Sequence, residues 1–143
     1  MAIQLTEQHL DVGLVTFNET LAIEFYANFL GLTQDVDITI PSIGVIKRFK
    51  VGKSTLRIIV AENEPAHKGS SEGFMSQTGI RYLTLSIANL DETMAAAKAA
   101  RYKVPLDIMV LRPGTRVAQV QDPDGNTVEL MQVESSNVSA RVS

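Results

Sequence analysis

The sequence predicts an α+β fold in which two tandem βαβββ modules form one shared half-barrel cleft. Signals for a strand, a helix and then three strands occur in that order twice along the 143-residue chain. Setting Asp11 against Tyr82 gives an offset of 71 residues and setting Arg57 against Glu129 gives 72, so the repeat keeps its spacing across two separate elements. The strands are apolar on one face and mixed on the other, so each half-sheet is expected to bury one face under its helix and turn the other toward the second module.

Leu10 to Phe17 reads as the first strand, with Val12 and Leu14 on one face and Asp11, Gly13 and Val15 on the other. Asn18 is placed to cap a helix over residues 19–30. Its stripe is Leu21, Phe25 and Phe29, joined by Ala22 and Tyr26, and Gly31 ends it. Strands are then expected over Asp35 to Ile40, Ile43 to Val51 and Thr55 to Ala61, with Pro41-Ser42 and Gly52-Lys53 as turns.

A polar connector, residues 62–79, separates the first module, about residues 9–61, from the second, about residues 80–133. Ile80 to Ile87 reads as a strand, and Asn89 with Glu92 suits a capping box ahead of a helix bearing Leu90, Met94 and Ala97. Pro105 to Leu111, Thr115 to Gln121 and Thr127 to Val133 complete the module as strands. Arg112-Pro113-Gly114 and Asp122-Pro123-Asp124-Gly125-Asn126 mark the turns between them. The Ser-rich stretch 134–143 reads as a polar, solvated tail.

Bulk properties narrow the partners. Apolar residues make up 45% and charged residues 20%, the balance of an ordinary globular chain that buries one core. A net charge of -3 with no basic run gives no attraction for a phosphate backbone or an anionic bilayer, so neither nucleic acid nor membrane is expected as a partner. The absence of cysteine excludes thiolate chemistry and fits the cytoplasm. No basic n-region precedes an apolar stretch near Met1, so no export signal is expected.

Asp11-Val12-Gly13-Leu14-Val15, then Glu24-Phe25-Tyr26 and Leu30-Gly31-Leu32, resemble the opening of a vicinal oxygen chelate protein. That superfamily includes glyoxalases, bleomycin-resistance proteins and extradiol dioxygenases. Gly79-Ile80-Arg81-Tyr82-Leu83, Asn89-Leu90-Asp91, and the Asp122 to Asn126 turn before Val128-Glu129-Leu130 are similar to its second module. The resemblance spans roughly residues 9–133. It implies metal ligands at four positions, His on the first strand and Glu on the last strand of each module. In this chain those positions hold Asp11 and Tyr82, then Arg57 and Glu129. A permanent guanidinium charge among the four opposes a divalent ion, and a phenol is a poor ligand at neutral pH. Neither metal nor other cofactor is therefore expected.

The candidate site is built from polar residues on the faces turned away from the helices. Asp11, Tyr82 and Glu129 are the candidates for acid/base chemistry. Burial near Glu129 is expected to raise one of the two carboxylates, and the Tyr82 hydroxyl is placed to donate to a carbonyl or phenolate oxygen. Arg57, Thr84 and Ser86 are candidates for holding a substrate, with Phe74 and Met75 of the connector above an apolar part of it. Arg57 and Glu129 are alternatively read as a salt bridge filling the space a metal takes in relatives. His9, about 7 Å along the strand from Asp11, and His67 in the connector are weaker candidates.

Three functions stay open on these residues. One is metal-independent isomerase, cyclase or lyase chemistry on a small, mostly apolar, oxygen-bearing molecule. A second is non-catalytic binding or sequestration of such a molecule. A third is a metal-dependent glyoxalase-like or dioxygenase reaction. A homodimer is expected in each case, because family members commonly pair and half-barrels leave strand edges to cover.

Overall fold

The computed structural model describes residues 1–134; the stretch 135–143, most of the expected polar tail, lies outside the described residues. Two compact units divide at Ala66 and His67.

The first unit runs β1 (Val12–Thr16), α1 (Glu19–Ile23) continued by a π-helix (Glu24–Phe29), β2 (Thr33–Gln34), β3 (Ile38–Ile40), β4 (Gly44–Val51) and β5 (Ser54–Ala61). The second runs β6 (Tyr82–Ser86), α2 (Leu90–Ala99), β7 (Leu106–Arg112), β8 (Thr115–Gln121) and β9 (Thr127–Val133). The sheet orders are β1-β5-β4-β2, with β3 also on β4, and β6-β9-β8-β7. In both, the last strand of the unit pairs parallel to the first and antiparallel to the one before it. Register repeats as well: Gly13 faces Arg57 in one unit, and Thr84 faces Glu129 in the other. The two βαβββ modules expected from the sequence are thus present with one strand order.

Local chemistry explains where the elements begin and end. The Asn18 side chain accepts from the Leu21 N–H at 3.1 Å and caps α1, and Gly31 takes φ +69° just past the helix. The predicted regular helix over 19–30 is wound wider in its second half, where the Leu30 N–H reaches back five residues to the Phe25 carbonyl. Ala22, Phe25 and Tyr26 of the expected stripe are buried, whereas Leu21 is 44% exposed.

At the second helix the expected Asn89–Glu92 box is not what caps it. Asn89 makes no side-chain cap bond, and the Leu90 N–H is taken at 2.8 Å by Oε1 of Gln132 from β9. The strand expected over 35–40 is also interrupted. Thr33–Gln34 and Ile38–Ile40 pair with β4, and the Asp35 N–H still donates to the Arg48 carbonyl at 2.8 Å, while the Val36 carbonyl is taken by the Arg48 guanidinium through Nε at 3.0 Å and Nη2 at 2.8 Å.

The helix-facing sides form the cores. Phe25 and Tyr26 pack edge to face at 4.8 Å, Tyr26 lies 6.3 Å from Phe49, and Leu56 and Ile58 complete the first core. Leu90, Met94 and Ala97 of α2 are buried in the second unit, as are Ala118, Val120, Val128 and Leu130 of its sheet. Each large side chain so buried contributes about 1.5–3 kcal/mol. With these faces committed, pleating directs the alternate residues of each strand to the open face.

Candidate functional site

On the first sheet the open face carries Asp11, Gly13 and Val15 along β1, Thr55, Arg57 and Ile59 along β5, and Ile46, Arg48 and Lys50 along β4. Asp11 lies just ahead of β1, yet its carboxylate is fully engaged. Oδ1 accepts from the Thr55 N–H at 2.8 Å and lies 3.1 Å from Nδ1 of His9, and Oδ2 accepts from Nη2 of Arg57 at 3.1 Å. The Thr55 hydrogen bond, with the charges of His9 and Arg57, holds the Asp11 carboxyl below the usual aspartate range against a smaller opposing effect of burial. The sequence leads one to expect one of the carboxylates Asp11 and Glu129 to be raised; Asp11 is lowered instead. The backbone donor that reverses the direction comes from a strand 44 residues away. His9, expected a full strand step from Asp11, is its direct neighbour, because β1 starts only at Val12 and the chain before it is free to turn.

On the second sheet the open face carries Tyr82, Thr84 and Ser86 of β6, Glu129 of β9, and Gln119 and Gln121 of β8. Thr84 donates its hydroxyl to Oε1 of Glu129 at 3.1 Å, and Gln119 faces Glu129 on the other side. Phe74 stands edge-on to Tyr82, ring centroids 5.6 Å apart. The connector is held in place there by backbone contacts. Arg81 donates through Nε to the Phe74 carbonyl at 3.1 Å and through Nη2 to the Gly73 carbonyl and the Ser76 hydroxyl, both at 3.3 Å. The Ser71 carbonyl accepts from Gln121 at 3.1 Å and from Lys103 at 3.0 Å. Gly125, at φ +88°, lies so close that a Cβ there would meet Ser71 at 3.0 Å.

The structure therefore gathers Asp11 and Arg57 in the first unit, and Phe74, Tyr82, Thr84 and Glu129 in the second. Ser86 ends β6 exposed, and Met75 is 82% exposed. Arg48, Arg81, Gln119 and Gln121 were not singled out from the sequence. Strand alternation carried the signal for three of them: Arg48 alternates with Phe49 in β4, and Gln119 and Gln121 alternate with Ala118 and Val120 in β8.

The donor set does not fit the family's metal. Among the described residues no three His, Asp or Glu side chains gather in a group that could hold an ion. At the four implied positions, Asp11 has its oxygens turned to N–H donors and Arg57 brings a cation. Among the described residues, no helix is long and apolar enough to cross a membrane.

Against this geometry stand the comparisons with known proteins. The sequence profile of the Glyoxalase/Bleomycin resistance protein/Dioxygenase superfamily matches residues 12–130. No curated protein matches the chain at a significant level. Solved structures do. SMU.1112c superposes with a TM-score of 0.72 at 21% identity, covering 89% of this chain and 99% of its own. The trypanothione-dependent glyoxalase I of Leishmania major gives 0.70 at 17%, over 96% and 93%. TnmS3, an antibiotic binding protein from Streptomyces sp. CB03234, gives 0.66 at 18%, over 92% and 100%. At these identities the likeness establishes the fold.

Proposed function

Because the chain belongs to the Glyoxalase/Bleomycin resistance protein/Dioxygenase superfamily, we propose that it binds a small, mostly apolar, oxygen-bearing molecule on its open sheet faces and sequesters it without a chemical step. The observation that carries this reading is the state of Asp11. A carboxylate held ionised by a backbone N–H, an arginine and a histidine is stabilised as an anion, and is thereby a weakened base. The pairing of Phe74 with Tyr82 beside Thr84 and Glu129 supplies an aromatic wall with hydrogen-bonding groups next to it, the composition of a ligand site. An antibiotic binding protein with this fold supports the same reading.

Acid/base catalysis is the second reading, favoured by one observation. Glu129 accepts a hydrogen bond from the Thr84 hydroxyl on the open face beside Tyr82, so it stands where a carboxylate would meet a bound molecule. Tyr82, two residues before Thr84 on β6, would donate to a substrate oxygen, and Asp11 with Arg57 would fix the substrate's orientation. Neither reading routes a step through a metal. The absence of cysteine supports a cytoplasmic setting, and the exposed edge strand β7, with Met109, Val110 and Leu111 all exposed, supports assembly as a homodimer.

Thermal-shift screening of a panel of apolar aromatic compounds, followed by turnover assays on each compound bound, tests both readings. Saturable stabilisation with the compound recovered unchanged at every pH supports sequestration. Turnover with an ionisation limb that Glu129→Gln abolishes overturns it in favour of catalysis. No stabilisation by any of the panel counts against both.

A further inference from the structure

Arg48 and Arg57 are Cα partners across β4 and β5, and both side chains belong to the open face. Like charges directly opposite each other on a sheet face repel. The structure accommodates them by drawing the two side chains apart. Arg57 leans toward β1 and binds Asp11, while Arg48 leans the other way, past β4, and binds the Val36 carbonyl. Since the sheet order is β1-β5-β4-β2, the floor between the two guanidinium groups is the β5–β4 ladder itself.

Charge compensation on this face is partial. Arg57 commits Nη2 to Asp11, and its side chain is 45% exposed. Arg48 spends Nε and Nη2 on a neutral carbonyl, and its nearest carboxylate, Asp35, is 3.9 Å from Nη1 and is shared with Lys50 at 3.8 Å. A guanidinium carries five N–H donors in a fixed fork, so both arginines retain donors. The neighbouring positions on the same face are apolar: Ile46 pairs with Ile59, and Ile59 with Val15.

We propose that Arg48 and Arg57 form an anion-binding subsite for a carboxylate carried on an apolar body, the carboxylate seated between the two forks and the hydrocarbon on Val15, Ile46 and Ile59. This rests on the small-molecule-binding reading above and narrows its ligand class to apolar organic acids. Two opposed cations become an asset once an oxyanion lies between them, and bidentate Arg–carboxylate bonds fix its orientation.

Titration calorimetry on the full chain with 2-naphthoate, its uncharged amide and inorganic phosphate tests the subsite. The acid is expected to bind at least about tenfold more tightly than the amide. The preference should be lost in Arg57→Met and in Arg48→Met and partly restored in Arg48→Lys, which keeps the charge without the fork. Arg112→Met, at the exposed end of β7 in the second unit, should leave it intact. Melting curves of each variant separate loss of binding from loss of fold. Equal binding of acid and amide, or a preference that survives both arginine-to-methionine changes, overturns the subsite. Displacement of the acid by phosphate at equal concentration would show a general oxyanion site, and overturns the organic-acid assignment. If the amide binds and the arginine variants change nothing, the subsite fails while the binding reading stands. Failure of both naphthyl compounds overturns the subsite alone, and the broader panel then decides the fate of the binding reading.

Discussion

Arg57 binds Asp11 diagonally: its Nη2 lies 3.1 Å from Oδ2, although the residue facing Arg57 across the β1–β5 ladder is Gly13. At the matching position of the second sheet, Thr84 faces Glu129 directly and donates to it. Gly13 has no side chain to intervene, and a Cβ built there meets nothing within 4 Å. One sheet thus pairs its central polar residue straight across, and the other pairs it one step along the strand.

Asp11→Asn and Arg57→Met should therefore be coupled. Each alone lowers the melting temperature, and the double variant should lose clearly less than the two losses added, because the second change removes a group already without its partner. Chemical denaturation of the four proteins at low and moderate salt measures this, and the coupling should shrink with salt. Strict additivity at both salt levels would mean the two groups do not meet in solution.

Two glycines should respond oppositely to alanine. At Gly13 the space is open and no positive φ is needed, so Gly13→Ala should stabilise by about 0.4–1 kcal/mol through the unfolded chain. At Gly44 φ is +141° and a Cβ would lie 2.0 Å from the Val60 carbonyl oxygen, so Gly44→Ala should destabilise by about 2 kcal/mol or more. Urea melts of the two variants check the pair of signs.

Gln132, a strand residue, acts as the cap of α2. Gln132→Ala should cost about 1 kcal/mol by leaving the Leu90 N–H without its acceptor, whereas Asn89→Ala should cost distinctly less. A larger loss at Asn89 in equilibrium unfolding would restore the sequence-based cap.

Acid should unfold the protein through its paired aspartates. The Thr55 N–H lowers Asp11, and the Val36 N–H lowers Asp35. Arg116 lowers Asp91, and Lys98 lowers Asp107. A depressed folded-state pKa contributes stability that is present above the unfolded value, about 3.9, and is lost as pH falls through the folded one. Stability measured from pH 7 downward should stay level to about pH 5 and then fall. Asp91→Asn, which breaks the two-pronged bond to Arg116 at 2.9 and 3.0 Å, should flatten that limb. At the alkaline end Lys47, raised by Asp37 and Glu19, holds its contribution below its ordinary pKa and loses it as pH rises past the raised one.

The elements bounded by strong turn chemistry were legible in the sequence. β8 and β9 have the limits read for them, Thr115–Gln121 and Thr127–Val133, because Pro, Gly and Asp fix both hairpin ends. The starts of β1 and β6 were read too long. Leu10 and Ile80 fit an apolar alternation but are 78% and 88% exposed, because pairing starts only at Val12, opposite Leu56, and at Tyr82, opposite Thr127. The break at Asp35–Asp37 could not be read from period two, which carries no sign that an arginine side chain from β4 takes the Val36 carbonyl. Asp11, Arg57, Thr84 and Glu129 were individually legible through their facing. The bonds from Asp11 to Thr55 and Arg57 depend on the parallel register of two strands far apart in sequence, which the local pattern does not contain.

The Arg81 clamp has a consequence for how ligand preference can change over evolution or in the laboratory. It holds the connector through the carbonyls of Gly73 and Phe74, with the Ser76 hydroxyl as a third acceptor, and Gln121 and Lys103 add the carbonyl of Ser71. Carbonyl groups are the same whatever residue bears them. The anchor is therefore indifferent to the side chains at positions 74 and 75, so the ring facing Tyr82 can be exchanged without loosening the segment that presents it. On the binding reading proposed above, retargeting the second sheet would call for substitutions at those two positions, on a frame that stays as it is.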